Sequence, residues 1–219
     1  MAPPPPNEMT MESTKSTQAD TSARQAILDR IRTKRVDVPP LPDIDPDRVI
    51  QFDQPIDKFV EMLAMVGGQA HLVDSHADIR GMLDEIDVFN NATRIVSLAP
   101  DAVAGTIDAS QIADPHDLAT LDWTIARGEF MIAENGSIWV DGDTLPHRVL
   151  LFIAQYLAIV VPRSQIVSNM HQAYERIEGF GARFGVFVSG PSKTADIEQS
   201  LVLGAHGCRK LQVFIVGDM

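Results

Sequence analysis

Residues 184–216 read FGVFVSGPSKTADIEQSLVLGAHGCRKLQVFIV, and this stretch carries the clearest fold signal in the chain. It begins and ends with apolar runs, 184–188 and 211–216. Strands with apolar side chains on both faces are typical of a sheet that helices cover on each side. The segment between the runs predicts a short helix over 195–203, with Thr194 as its N-cap. The stretch therefore predicts a strand–helix–strand unit.

The same alternation of helix and strand extends back along the chain to residue 54. The predicted helices begin at Pro55, at Ser75 with Asp78 as its capping-box partner, and at Ser168, and the predicted strands cover 70–73, 94–98 and 157–161. This order predicts an α/β fold with a Rossmann-like, mainly parallel sheet. Sheets of this kind bind ligands beyond the carboxyl ends of their strands, so we expect a site where the strand 184–188 ends.

A hairpin interrupts the alternation at Asn135-Gly136. Two apolar runs, 130–134 and 137–140, flank this pair. Asn and Gly both tolerate positive φ, which is why Asn-Gly between apolar runs is a strong hairpin signal. We therefore expect a β-hairpin appended to the parallel sheet.

The first 53 residues differ in composition from the rest of the chain. Nine of the 14 prolines precede residue 56, and no glycine precedes Gly67. Residues 1–21 are predicted to form a disordered tail. Residues 22–53 are predicted to hold a helix over 23–34, capped by Ser22, and a Pro/Asp-rich linker. The α/β domain is predicted over 54–219.

Charge and cysteine content exclude several classes of protein. The net charge of −12 repels phosphate backbones, so we expect no nucleic-acid binding, and the basic cluster at 24–35 is interpreted as a solvated helix face. Cys208 is the single cysteine, so the chain cannot hold an internal disulfide or a cysteine-ligated cluster. The longest apolar run, 149–162, is too short to span a membrane. No metal-ligand spacing occurs, and we expect a cytoplasmic protein.

The segment after residue 189 is the first candidate site. Two hydroxyls and an ammonium precede the predicted helix, and the N-terminus of a helix attracts a carboxylate or phosphate. Candidate ligand-binding residues are Gly190, Ser192, Lys193, Thr194, Asp196, Glu198, Gly204 and Gly207, and His206 is a candidate catalytic residue. The alternative is structural, because the two acids also complement the helix dipole and Gly204 can end the helix.

The hairpin is the second candidate site. Glu134 beside a tight turn can serve as a nucleophile or general base, and Asn135, Gly136 and Ser137 are candidate ligand-binding residues next to it. The alternative is an ordinary turn with a solvated glutamate.

These two segments resemble the motifs of one family. The run GPSKTADIEQSLVLGAHG at 190–207 resembles the terminal motif of the LUD-domain family, which includes lactate utilisation protein C, and IAENGS at 132–137 resembles its IAETGT-type motif. The resemblance covers roughly residues 23–216 and implies a fold of the NagB/RpiA/CoA-transferase type. It further implies a cluster-free component of L-lactate oxidation to pyruvate. The cofactors, iron–sulfur clusters, are then expected on two partner proteins of the LutA and LutB type.

Other functions stay open beside this one. Asn135 and Ser137 stand where the family usually has Thr, and Glu134-Asn135-Gly136 resembles the ENG motif of CoA transferases. A CoA-transferase-like enzyme would use Glu134 as acyl acceptor, and a sugar-phosphate isomerase-like enzyme would bind phosphate near Ser192. A non-catalytic assembly subunit is the third alternative, and a homo-oligomer is compatible with all three.

Overall fold

The structure is a computed structural model that describes residues 16–34, 39–40, 45, 48–181, 184–195, 201–203 and 207–217. Contacts divide the chain into two units, Met1–Ile44 and Asp45–Met219. In the first unit, α1 covers Ser16–Thr33. The helix therefore begins before residue 23, and the prediction of Ser22 as its N-cap is wrong. Residues 1–15, and most of the predicted linker before residue 48, lie outside the described residues.

A five-stranded parallel sheet forms the centre of the second unit. In spatial order its strands are β1 (Gln69–Val73), β11 (Lys210–Val216), β6 (Tyr156–Pro162), β3 (Trp123–Arg127) and β2 (Ile95–Ser97). Along β6, Leu157, Ile159 and Val161 pack on one face, and Ala158 and Val160 pack on the other. The predicted α/β fold with a mainly parallel sheet is thereby confirmed. Strand β3 was not predicted from the sequence.

Helices cover both faces of this sheet, as its apolar strands require. On one face α2 (Pro55–Met65) buries Phe59 and Leu63, and on the other α3 (His76–Asp84) buries Ile79 and Leu83. Both helices begin where the sequence predicts. The Asp78 carboxylate accepts a hydrogen bond from the Ser75 amide at 2.9 Å, completing the predicted capping box. The shorter helices are α4 (Asp87–Asn90) and α5 (Leu150–Ile153).

The predicted hairpin is present and belongs to a second, four-stranded sheet. Its strands, in spatial order, are β7 (Ile166–Val167), β4 (Phe130–Ile132), β5 (Ser137–Asp141) and β8 (Gly185–Val188). Met131 and Ile138 face the core against the parallel sheet, whereas Phe130 and Trp139 pack against α6 (Met170–Phe180). This sheet is therefore also covered on both faces.

That arrangement corrects the prediction for residues 184–188. Strand β8 pairs antiparallel with β5 and lies outside the parallel sheet. Val186 and Val188 pack towards the inner core, and Phe187 packs with the outer cluster beside α6. A strand in either sheet needs apolar side chains on both faces, so the pattern that identified the strand could not assign it to the correct sheet.

One further helix prediction is wrong, and one predicted N-cap is off by one residue. Residues predicted to form a helix over 195–203 instead contribute to two antiparallel strands, β9 (Lys193–Ala195) and β10 (Leu201–Leu203). The N-cap of α6 is Asn169, whose Oδ1 accepts from the Gln172 amide at 3.0 Å. Ser168 instead accepts from the Phe52 amide at 3.4 Å through its hydroxyl. Among the described residues, no helix combines the length and apolarity needed to cross a bilayer.

Candidate functional site

The segment after residue 189 lies at the amino ends of the parallel strands. The Ser192 amide donates to the Cys208 carbonyl at 2.9 Å, two residues before β11 begins. The next residue, Arg209, donates its amide to the Gln155 carbonyl at 2.7 Å, directly before β6. Both β6 and β11 start at this edge. The expectation that the segment lies at the carboxyl ends of the parallel strands is therefore wrong, because it assigned 184–188 to that sheet.

The structure nevertheless brings the two predicted segments together. The Ser189 hydroxyl donates to the Asn135 carbonyl at 3.2 Å. Both loops also press against the carboxyl end of α2. Gly136 has φ +66°, and a Cβ there would lie 2.5 Å from the Leu63 amide nitrogen. Gly190 approaches α2 equally closely, since a Cβ there would lie 2.5 Å from the Val66 carbonyl oxygen.

The side chains of the hairpin turn are engaged in local hydrogen bonds. Glu134 is half-buried, and its Oε1 accepts from the Met170 amide at 3.0 Å, at the start of α6. Asn135 Oδ1 accepts from the Ser137 amide at 3.0 Å and from its hydroxyl at 2.7 Å. These contacts hold the turn and the start of α6 together. The catalytic role of Glu134 stays a prediction.

Two cavities open at this amino edge, of about 310 and 330 Å³, and both are lined by Pro191 and Lys193. The second is also lined by Arg209 and Lys210. We call Lys193, Arg209 and Lys210 the basic patch. All three are exposed, and none forms an ion pair with a described residue. In a chain of net charge −12, three such cations give this edge a local positive field that attracts anions.

The remaining predicted site residues are placed as follows. Ser192 lies against Gly207, whose added Cβ would be 3.1 Å from the Ser192 Cβ. The backbone of Thr194 is part of β9, so Thr194 is not the N-cap of a helix, and anion binding by Ser192, Lys193 and Thr194 stays a prediction. Asp196, Glu198, Gly204 and His206 lie outside the described residues.

Cys208 adjoins this region and is buried, with 5% of its surface exposed. Burial in apolar surroundings raises the pKa of its thiol, because the thiolate would lose its hydration. The thiolate is the reactive form, so the native fold disfavours reaction at this position.

A third cavity, of about 390 Å³, lies at the opposite, carboxyl edge of the sheet, and sequence reasoning did not predict it. We call it the carboxyl-edge cavity. His76 from the start of α3 and Arg127 from the end of β3 line it, together with Glu129 and Arg176. Asp101 joins the first two: its Oδ2 lies 2.9 Å from His76 Nδ1, and its Oδ1 contacts the Arg127 guanidinium.

The Arg127 contact also sets the electrostatics of this network. The hydrogen bond from Arg127 holds the pKa of Asp101 below its usual value, with smaller contributions of the same sign from the charges of Arg127 and His76. This cavity was difficult to predict from the sequence, because Arg127 ends a strand that was not predicted. Among the residues that the structure describes, no cluster of three or more His, Cys, Asp or Glu side chains could hold a metal ion.

These features define an α/β domain with a parallel core sheet, a second mixed sheet and charged cavities at both sheet edges. The model of the LUD domain family matches residues 86–216, and the chain belongs to this family. The resemblance inferred from the two motifs is confirmed.

Individual relatives agree with this assignment. The chain is similar to lactate utilization protein C of Shouchella clausii, with 33% identity over 118 residues, 52% of this chain and 48% of that protein. It is 36% identical over 102 residues to lactate utilization protein C of Bacillus subtilis, covering 43% of this chain and 42% of that protein. The matched region thus spans slightly less than half the length of these curated relatives.

A solved structure shows the same fold. The crystal structure of a DUF162 family protein from Deinococcus radiodurans superposes with a TM-score of 0.58 at 21% identity. The match covers 75% of this chain and 97% of that one.

Proposed function

We propose that this chain is the cluster-free component of a lactate utilisation system, in which L-lactate is oxidised to pyruvate with iron–sulfur partner proteins. Membership of the LUD domain family supports the proposal, as do relatives named lactate utilization protein C. In this system the chain binds an anionic group, carried by a small carboxylate or by a partner protein, at its amino edge.

The cysteine content supports the assignment of electron transfer to the partner proteins. Oxidising a hydroxyl to a ketone releases two electrons, which need a redox carrier. A cysteine-ligated cluster requires several thiolates, whereas these 219 residues contain one cysteine, and it is buried. We therefore assign electron transfer to the partner proteins and a binding role to this chain.

One observation carries the choice of site. The two segments that resemble the family motifs are far apart in sequence, yet the Ser189 hydroxyl contacts the Asn135 carbonyl at 3.2 Å, and the 189–193 loop continues into the basic patch. A local positive field on an acidic protein favours contact with an anionic group.

Growth on L-lactate tests this function. We expect a strain of the host that lacks the gene to grow poorly on L-lactate and normally on glucose, and the wild-type gene to restore growth. A Lys193→Ala, Lys210→Ala double variant should restore it only weakly. A Lys58→Ala variant should restore growth fully, because Lys58 pairs with Glu61 at 3.0 Å and lies outside both amino-edge cavities.

Purification of the tagged chain from cells grown on L-lactate tests the partner assignment. Iron–sulfur proteins should co-purify with the wild-type chain and with Lys58→Ala, and in smaller amounts with the double variant. Normal growth of the deletion strain on L-lactate, in a host without a second copy of the gene, would contradict the proposed function.

A further inference from the structure

The carboxyl-edge cavity has the location and size of a ligand site that is separate from the amino edge. Its lining includes Arg127 and Pro162, which end β3 and β6, and His76, which begins α3 shortly after the end of β1. Ligands of open α/β sheets bind beyond these carboxyl ends. Its volume of about 390 Å³ lies within the roughly 300–1,000 Å³ range of small-molecule pockets.

Two arginines give the cavity its preference for an anion. The Arg127 guanidinium contacts Asp101, and this contact uses only part of its donor fork. The Arg176 guanidinium contacts the Gln165 amide oxygen and lies over the Phe130 ring, 4.7 Å from its centroid. Both arginines line the cavity. A guanidinium offers paired N–H donors that match the two oxygens of a carboxylate.

Glu129 restricts which anion can bind. Its side chain is half-buried, lines the cavity and forms no hydrogen bond or ion pair with any described residue. An ionised carboxylate only accepts hydrogen bonds, so it favours a ligand that presents a donor such as a hydroxyl. Its negative charge also disfavours a second negative charge on the ligand.

Part of the remaining wall is apolar. Val160 and Pro162 from β6 line it, as does Phe180 at the end of α6. Phe180 has 38% of its surface exposed. A ligand with a short carbon skeleton would cover part of that surface, which is favourable in proportion to the apolar area removed from water.

We infer that the carboxyl-edge cavity binds a small organic monocarboxylate that carries a hydroxyl group. Arg127 and Arg176 bind the carboxylate, Glu129 accepts a hydrogen bond from the hydroxyl, and Phe180 contacts the carbon skeleton. Asp101 is a positioning residue that holds the Arg127 guanidinium at the cavity. The inference does not depend on the proposed function, since binding to the isolated chain is measured without the pathway.

Isothermal titration calorimetry of the full chain tests this inference with four probes: L-lactate, D-lactate, propionate and inorganic phosphate. We expect at least one lactate enantiomer to bind saturably, more tightly than propionate, which lacks the hydroxyl, and more tightly than phosphate. Arg127→Gln and Arg176→Gln should each weaken lactate binding roughly tenfold or more, because each removes a charged hydrogen-bond partner. Arg163→Gln is the matched control, since Arg163 is exposed and lies outside the cavity lining.

Glu129→Met provides a second readout that does not depend on losing a cation, because methionine has no oxygen that could accept a hydrogen bond from the ligand hydroxyl. It should reduce the ratio of lactate affinity to propionate affinity towards one, while thermal melting confirms that each variant is folded. Saturable lactate binding should persist in the Lys193→Ala, Lys210→Ala variant, which separates this site from the basic patch. The inference is overturned if no lactate binds saturably, if phosphate binds as tightly as lactate, or if Arg176→Gln and Arg163→Gln have equal effects.

Discussion

Replacing Gly136 by alanine probes the contact between the hairpin turn and α2. Gly136 is buried and has φ +66°, in the left-handed region. A Cβ added there would lie 2.5 Å from the Leu63 amide nitrogen and 2.8 Å from its Cα. Both atoms belong to the backbone of a helix, so they cannot move aside as the end of a flexible side chain could.

The expected cost has two parts. A residue with a Cβ in the left-handed region costs about 1–2 kcal/mol relative to glycine. Forcing an extra methyl group into a packed site costs about 1–3 kcal/mol more. We therefore expect Gly136→Ala to lower the free energy of unfolding by roughly 2–5 kcal/mol.

Gly181→Ala is the matched control. Gly181 has φ +61°, and no described atom lies within 4 Å of its added Cβ. Only the conformational part applies there, so the expected loss is about 1–2 kcal/mol. The difference between the two variants isolates the close approach of the turn to α2.

Urea denaturation followed by circular dichroism measures both variants. The free energy of unfolding is obtained from each midpoint, with the slope checked for constancy so that a change in the unfolded state is recognised. If Gly136→Ala costs no more than Gly181→Ala, the turn does not dock on the α2 backbone.

Three further predictions concern single side chains. Glu134→Ala should lower the free energy of unfolding by about 1 kcal/mol, because the Met170 amide loses its acceptor at the start of α6. Glu134→Gln should retain most of the stability. Equal losses in the two variants would contradict the capping role of Glu134. The Cys208 thiol should react with iodoacetamide at pH 8 far more slowly in the native chain than in urea, because burial raises its pKa; equal rates would show that it is accessible. The pKa of Asp101 in the folded chain lies below its usual value. Asp101 therefore stabilises the folded chain at pH values above its pKa in the unfolded chain, and this stabilisation is lost as the pH falls through its pKa in the folded chain. Since its side chain is 44% exposed, this contribution is under about 1 kcal/mol. Asp101→Asn should flatten the acidic part of the stability profile, below about pH 5, and an unchanged slope there would refute the prediction.

Local features of the fold could be read directly from the sequence. Pro55 and the Ser75–Asp78 capping box mark helix starts, and Asn135-Gly136 marks a hairpin turn, because each acts on backbone groups within a few residues. The strand 211–216 was equally clear, since its continuous apolar character needs no partner to be recognised. The family motifs at 132–137 and 190–207 were likewise a property of the sequence alone.

Pairing between strands that are distant in sequence decided the features that local sequence rules did not predict. Residues around Thr194 satisfy local helix rules, yet 193–195 and 201–203 pair as strands, because tertiary context overrides a weak local preference. The apolar run at 184–188 fits either sheet, and only its pairing with β5 assigned it to the second sheet.

The sequence by itself determined where most helices and strands lie, where the chain turns and which family motifs it carries. Only the tertiary structure decided which edge of the sheet each loop reaches. It placed Ser189 against Asn135 at the amino edge, and at the carboxyl edge it joined His76 from α3, Arg127 from β3 and Asp101 from a turn. Caps and turns act over a few residues, whereas these contacts depend on strand order, which is set by burying both faces of two sheets at once.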